Sequence, residues 1–256
     1  MYYLTTHIRV VAALLIREMS TRFGNKPGGY IWAILDPAAH IAFMSVIFMG
    51  IAKLPALGTS FPLFFATGYI AFQFYAAMCG FLNGAIKSNR TLLSYPNVAP
   101  IDTIVARYIL QAATTVFVAI CVLGAIIVTM HQPPELYWPA ILEAALAATL
   151  LGLGVGIFNT IMFLRFPFYE QVFNIVNRPM FLISGVFFLP DALPGPMREV
   201  VLFNPLVHVV MLFRQGFYPQ YRAAELDMFY LYSFVFTAIF AGLFVFTNSA
   251  AVARGR

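Results

Sequence analysis

The chain has 256 residues, of which 61% are hydrophobic and 10% charged, with a formal net charge of +5 and a mean hydropathy of +0.84. A soluble domain carries about 25% charged residues, so the composition excludes a soluble enzyme or binding module and predicts an all-α integral membrane protein. No basic cluster stands on a polar face, which excludes nucleic acid as a partner.

The first 26 residues carry Arg9, Arg17, Glu18 and Arg22 among apolar positions and lack a small-residue cleavage site, so they do not read as a signal peptide. Leu4, Ile8, Val11, Leu15 and Met19 fall on one helical face, with Thr6, Arg9, Ala13, Arg17 and Ser20 opposite. Such a stripe flanked by basic residues predicts an amphipathic helix lying in the membrane interface over 1–26. It serves as an anchor, or as a lever entering the first span through the turn at Gly24–Gly29.

Membrane spans are predicted over Ile31–Ala52, Pro62–Asn83, Thr103–Met130, Pro139–Leu164 and Met228–Val252. A sixth, Val172–Leu189, is shorter and carries Arg178. Six spans place both termini on one side. Eleven of the fifteen Lys and Arg residues then share the side of the N-terminus, and only Lys53, Arg198, Arg214 and Arg222 lie opposite. That bias makes the N-terminal side cytoplasmic. Cys79 and Cys121 sit inside apolar runs without a spacing motif and read as packing residues.

The connection Ile86–Asp102 combines Lys87 and Arg90 with Leu92 and Leu93, then Tyr95. Leucines exposed beside charges form a docking surface; leucines facing lipid are the plainer alternative. Within the spans, Trp32, Asp36, His40 and Phe43 share a face of the first helix. Phe65, Tyr69, Phe72, Gln73 and Ala76 share one on the second. Asn174, Arg178, Phe181, Gly185 and Phe188 share one on the fifth. Ionisable groups in a membrane face the bundle interior or snorkel to the interface. Aromatic rings above Asp36 and Arg178 favour a cavity wall, where flat apolar faces stack on sugar rings.

Between the fifth and sixth spans, Ser184–Arg214 is too apolar for an exposed loop and too broken for one helix. Pro190, Pro194, Pro196 and Pro205 each remove a backbone N–H. Irregular backbone at membrane depth is tolerated where protein buries it or where it lines a cavity. The Gly152–Gly156 run lies inside a span with no preceding strand, so it is a helix-packing face and not a dinucleotide site. No phosphate-loop lysine motif and no metal-ligand spacing occur. His131, Glu143 and His208 read as structural polar groups.

Ser184-Gly185, Phe188, Leu189-Pro190, Leu193-Pro194, Asn204-Pro205-Leu206, His208 and Arg214 together resemble the C-terminal signature of type-2 ABC exporter permeases, closest to those of capsular polysaccharide export. Arg17-Glu18, Arg22, Gly29-Tyr30, Trp32 and Asp36-Pro37 fit the same family. The resemblance implies a homodimer in the bacterial inner membrane, bound to two ATP-binding subunits that hold the ATP and magnesium; no cofactor is expected on this chain. It implies an anionic lipid-linked polysaccharide as cargo and a periplasmic export protein as a further partner, beside membrane lipids. Residues 86–102 become the coupling segment, with Lys87, Arg90, Leu92, Leu93, Tyr95 and Asp102 as contacts. Residues 190–215 become re-entrant periplasmic helices at the exit, with Pro190, Asn204, Pro205, His208 and Arg214. The three stripes become the substrate path, with Arg178 meeting the anionic end. O-antigen or teichoic-acid export is the alternative cargo. A membrane-embedded transferase is the alternative class, and it needs clustered carboxylates; Asp36, Asp102, Glu143 and Glu170 are scattered.

Overall fold

Residues 2–23, 28–95 and 98–249 are described by a computed structural model. The side chain of Leu4, together with Lys26, Pro96, Arg254 and Arg256, lies outside the described residues. Ten α-helices and two short 3-10 turns are present among the described residues, and no strand. The α-helices are α1 (Tyr2–Phe23), α2 (Ile31–Ile51), α3 (Phe61–Asn83), α4 (Ala85–Ser88), α5 (Pro100–Thr129), α6 (Trp138–Arg165), α7 (Pro167–Ile183), α8 (Gly195–Leu202), α9 (Pro205–Gln215) and α10 (Met228–Asn248).

Sequence chemistry sets several of these boundaries. The Ser60 hydroxyl accepts the Leu63 N–H at 3.3 Å and Pro62 occupies the first turn of α3, satisfying an orphan donor and pre-setting φ. Asp227 caps α10 by accepting the Tyr230 N–H at 2.9 Å. Asn204 caps α9 through Leu206 N–H at 3.0 Å, with Pro205 next. The Asn-Pro-Leu element is thus a helix start.

Five helices, α2, α3, α5, α6 and α10, are long and apolar enough to cross a membrane. The sixth expected span differs. Helix α7 begins earlier than expected, at Pro167, and stops after 17 residues at Ile183, at the lower limit of what crosses a membrane. Its ladder ends because Gly185 takes a φ of +76°, a left-handed conformation that glycine adopts freely. Helices α8 and α9 meet at a bend of 96°, so the broken segment is indeed two short helices and not one.

Helix α3 lies at the centre, touching α2, α5, α6 and α9. Its closeness to α6 comes from glycine: a Cβ at Gly152 would stand 2.9 Å from Met78 Cβ, and one at Gly156 2.7 Å from Leu82 Cβ. Gly154 points to α10, where a Cβ would come within 2.6 Å of the Ile239 nitrogen. The Gly152–Gly156 run packs two helices at once, which gains van der Waals contact where lipid offers no hydrophobic drive.

Candidate functional site

The three aromatic stripes converge where α2, α3 and α7 meet. His40 stacks on Tyr69 at 4.7 Å and meets Phe181 edge-on at 5.5 Å. Phe181 also contacts Phe72 at 5.3 Å and Phe187 at 5.1 Å, and Phe187 reaches Phe48 and Phe65, each at 5.9 Å. Phe65, Tyr69 and Phe72 are buried, so in this conformation those rings pack helices and present no open face. Phe188 does not join them. It packs beneath Val207 and Met211, and Phe187 takes the place expected for it. The Nε2 atom of His40 is buried without a hydrogen-bond partner among the described residues.

Open surface remains on the other members of the stripes. Trp32, Asp36, Phe43 and Arg178 are exposed. Trp32 and Asp36 border a cavity of about 180 Å³ between α2, α3 and α5, which Arg22, Gln73 and Gln111 also line. Helix α2 buries only Pro37, Ile41 and Ser45, and α7 buries nothing. Along α7, Glu170, Asn174, Asn177 and Arg178 gather on one side while Phe168, Val172, Ile175 and Leu182 lie on the other. An amphipathic helix with both faces bare is built for two different neighbours.

At the end of the bundle that carries α1, the structure holds a cluster that sequence reading missed. Glu18 is buried, and its Oε1 accepts from Arg107 Nε at 3.0 Å and from Asn89 Nδ2 at 2.7 Å. Its Oε2 accepts from Arg107 Nη2 at 3.1 Å. Arg107 also donates to the Phe81 carbonyl at 2.9 Å and lies over its ring. The Asn89 carboxamide accepts from Arg17 and donates to the Ala85 carbonyl at 2.9 Å. One carboxylate thus joins α1, the end of α3, the segment after α4, and α5. A detectable signal existed: Arg107 stands two turns inside an apolar helix, and such a group requires a partner.

This cluster bears on two expectations. Helix α1 leaves Ile8 and Met19 of its apolar stripe 60% and 42% exposed. It docks on α5 through Leu14 and Glu18, because a buried paired carboxylate fixes its rotation. In the 86–102 segment, Lys87, Arg90 and Tyr95 are exposed and Leu92 is half-buried. Leu93 is instead buried against Ile86 and Ile161, so it holds the segment down and offers no docking surface. Asp102 is likewise buried; it accepts the Ala99 N–H at 3.0 Å and meets His7 Nδ1 at 3.0 Å.

At the opposite end, Arg214 is fully buried. Its guanidinium donates to the carbonyls of Gly185 at 2.7 Å, Val186 at 2.7 Å and Phe188 at 3.1 Å, and lies 4.2 Å over the Phe64 ring. These carbonyls belong to the non-helical stretch that follows α7. Asn204 adds a bond to the Ser184 hydroxyl at 3.1 Å. His208 receives the Asp227 N–H on Nδ1 at 3.1 Å, which leaves Nε2 to donate to the Leu202 carbonyl at 3.0 Å. Pro190 is buried and opens a tight turn, Pro190–Ala192. Next to it, Asp191 accepts from the Tyr221 hydroxyl at 2.8 Å. Burial first, and then that bond, push the Tyr221 phenol upward. All five predicted exit residues therefore lie in one packed unit.

Residues 9–218 match the ABC-2 type transporter family. The polysialic acid transport protein KpsM of Escherichia coli is 35% identical over 91% of this chain and 90% of its own length. The capsule polysaccharide export inner-membrane protein CtrC of Neisseria meningitidis serogroup A is 27% identical, covering 82% and 79%. BexB of Haemophilus influenzae, described in the same words, is 24% identical over the same shares. With residues 9–218 matched, the chain belongs to the ABC-2 type transporter family, as a membrane subunit.

Proposed function

We propose that this chain is the permease of an ATP-driven exporter that carries an acidic, lipid-linked capsular polysaccharide across the bacterial inner membrane. The 35% identity over 91% of the chain to a polysialic acid transport protein carries the reading. Two copies form the channel. The bare faces of α2 and α7 support this, since a second copy covers one side while the polar side of α7 lines the path. Arg178 meets the anionic end of the cargo, and Trp32, Asp36 and Phe43 continue the wall. The packed rings of His40, Phe65, Tyr69, Phe72 and Phe181 stiffen that wall, and an opening of α2 from α7 exposes them.

The α1 end is cytoplasmic, as the excess of Lys and Arg there argues. Two ATP-binding subunits, holding ATP and magnesium, dock on Lys87, Arg90, Leu92 and Tyr95. Leu93 and Asp102 support that surface from beneath. Helices α8 and α9 are re-entrant on the periplasmic side. The support is that α9 meets the starts of two other helices that begin at the same end: Tyr137 N–H reaches the Gly216 carbonyl at 2.9 Å, and His208 receives the Asp227 N–H. A periplasmic export protein receives the chain there.

Deleting the gene for this chain in its own bacterium tests the proposal. Acidic polysaccharide should accumulate inside the cell and vanish from the surface, and a plasmid copy should restore it. A normal surface coat in the deletion strain contradicts the proposal.

A further inference from the structure

A cavity of about 260 Å³ lies at the α1 end, between Gly80, Asn83, Gly84 and Lys87 on one side and Glu170 and Asn174 on the other. It far exceeds the roughly 15 Å³ that admits one water. Of its polar side chains, Thr160 is spent on the Leu82 and Gly156 carbonyls, while Lys87 and Asn174 are exposed and Asn83 and Glu170 half-buried. The side chains of Lys87, Glu170 and Asn174 make no hydrogen bond or ion pair among the described residues. Asn83 has only a long thiol contact from Cys79, at 3.6 Å. Side chains that stand hydrated around a cavity are open to a polar ligand that takes the place of the water. The cavity differs in this from the one beside Asp36, where Gln111 already holds Arg22 at 2.6 Å and Thr115 at 2.8 Å.

The donors and acceptors select a ligand class. One ammonium suits a carboxylate. One carboxylate accepts hydroxyl protons, and two amides both donate and accept. Phe163 adds an aromatic face to the wall. A bare phosphate leaves Glu170 without a donor, while a polyhydroxylated acid sets its carboxylate on Lys87 and its hydroxyls on Glu170 and the two amides. Position supplies the second half of the case. Lys87 belongs to the segment assigned to ATPase docking, and Glu170 and Asn174 belong to the first turns of α7, so the cavity touches both. We infer that this cavity binds one carboxylated sugar residue of the exported chain and reports its presence to the ATPase. The inference rests on the polysaccharide reading above.

The test uses the complete complex of this chain with its ATPase, in lipid nanodiscs. ATP hydrolysis is measured against increasing oligosialic acid and against the same oligosaccharide with its carboxyls reduced to alcohols. The acid form should reach half-stimulation at about tenfold lower concentration, a difference of roughly 1.4 kcal/mol. Lys87→Gln should erase that ratio while the carboxyl-reduced oligosaccharide still stimulates hydrolysis, which shows that the ATPase remains docked; should docking fail, Asn174→Ala, outside the docking segment, should narrow the ratio in its place. A photo-cross-linker at position 174 should label the oligosaccharide. Equal half-stimulation by the two forms, or a ratio that survives Lys87→Gln, overturns the inference. Labelling of phospholipid or of the ATPase in its place also overturns it, by giving the cavity to another occupant. Stimulation without discrimination sinks only this inference, whereas no stimulation and no movement of polysaccharide sinks the export reading with it.

Discussion

The two ends of the bundle solve the same problem, a buried arginine, in opposite ways. Arg107 is neutralised by Glu18 through two parallel bonds of 3.0 and 3.1 Å. Arg214 has no carboxylate in ion-pair range among the described residues, and spreads its charge over three carbonyls and a phenyl face. A pair has one partner that can be named and exchanged. A cation held by backbone dipoles has none, since the carbonyls of Gly185, Val186 and Phe188 exist whatever their side chains are. The α1 end is therefore tunable by substitution, while the α8–α9 end is fixed to the backbone path.

Arg214→Met tests the fixed end and carries the largest expected effect. Three carbonyls lose their donor, each worth about 1–3 kcal/mol when left buried and unpaired. The substituted protein should unfold at a markedly lower temperature and expose the Leu193–Pro196 turn to protease, and no single second change should repair it. Glu18→Gln comes next, at about 3–5 kcal/mol, because it strands Arg107 without a counter-charge. Here the contrast sharpens. The double substitution Glu18→Leu with Arg107→Met should recover most of the thermal stability, yet lose export, since Asn89 and the segment after α4 lose their anchor. A double substitution as unstable as Glu18→Gln alone breaks the comparison.

Gly68→Ala has a smaller effect at the fixed end. A Cβ there would stand 2.8 Å from Arg214 Nη2 and 3.0 Å from Val186 Cα, and such overpacking costs about 1–3 kcal/mol. Thermal unfolding should show the loss. Arg198→Ala should be nearly silent in the same measurement. Its pair with Glu225, at 3.0 Å, is one-third exposed on both sides, and such pairs contribute about 0.2–1 kcal/mol.

Legibility in the sequence followed the range of the interactions. Five spans, the broken segment and the packing role of Gly152–Gly156 were readable because length, proline and small-residue spacing act locally. The end of α7 was not, since Val186–Leu189 is as apolar as the helix before it, and the carbonyls beyond the turn at Gly185 are held by Arg214, 28 residues on from Val186. The Glu18 cluster joins residues 71 and 89 positions apart, and no periodicity encodes that. The same blindness misplaced Leu93 and exchanged Phe188 for Phe187. Along α7 the polar side was legible at Asn174 and Arg178, whereas their separation from the buried rings of α3 depended on tertiary packing.

The most direct measurement is transport itself. The chain and its ATPase are reconstituted into sealed vesicles, and fluorescent lipid-linked oligosialic acid is supplied on the face that carries the ATPase. ATP should drive the labelled chain into the lumen, and a catalytically dead ATPase should abolish this. A complex that hydrolyses ATP in response to the glycan yet leaves all of it outside would contradict the account.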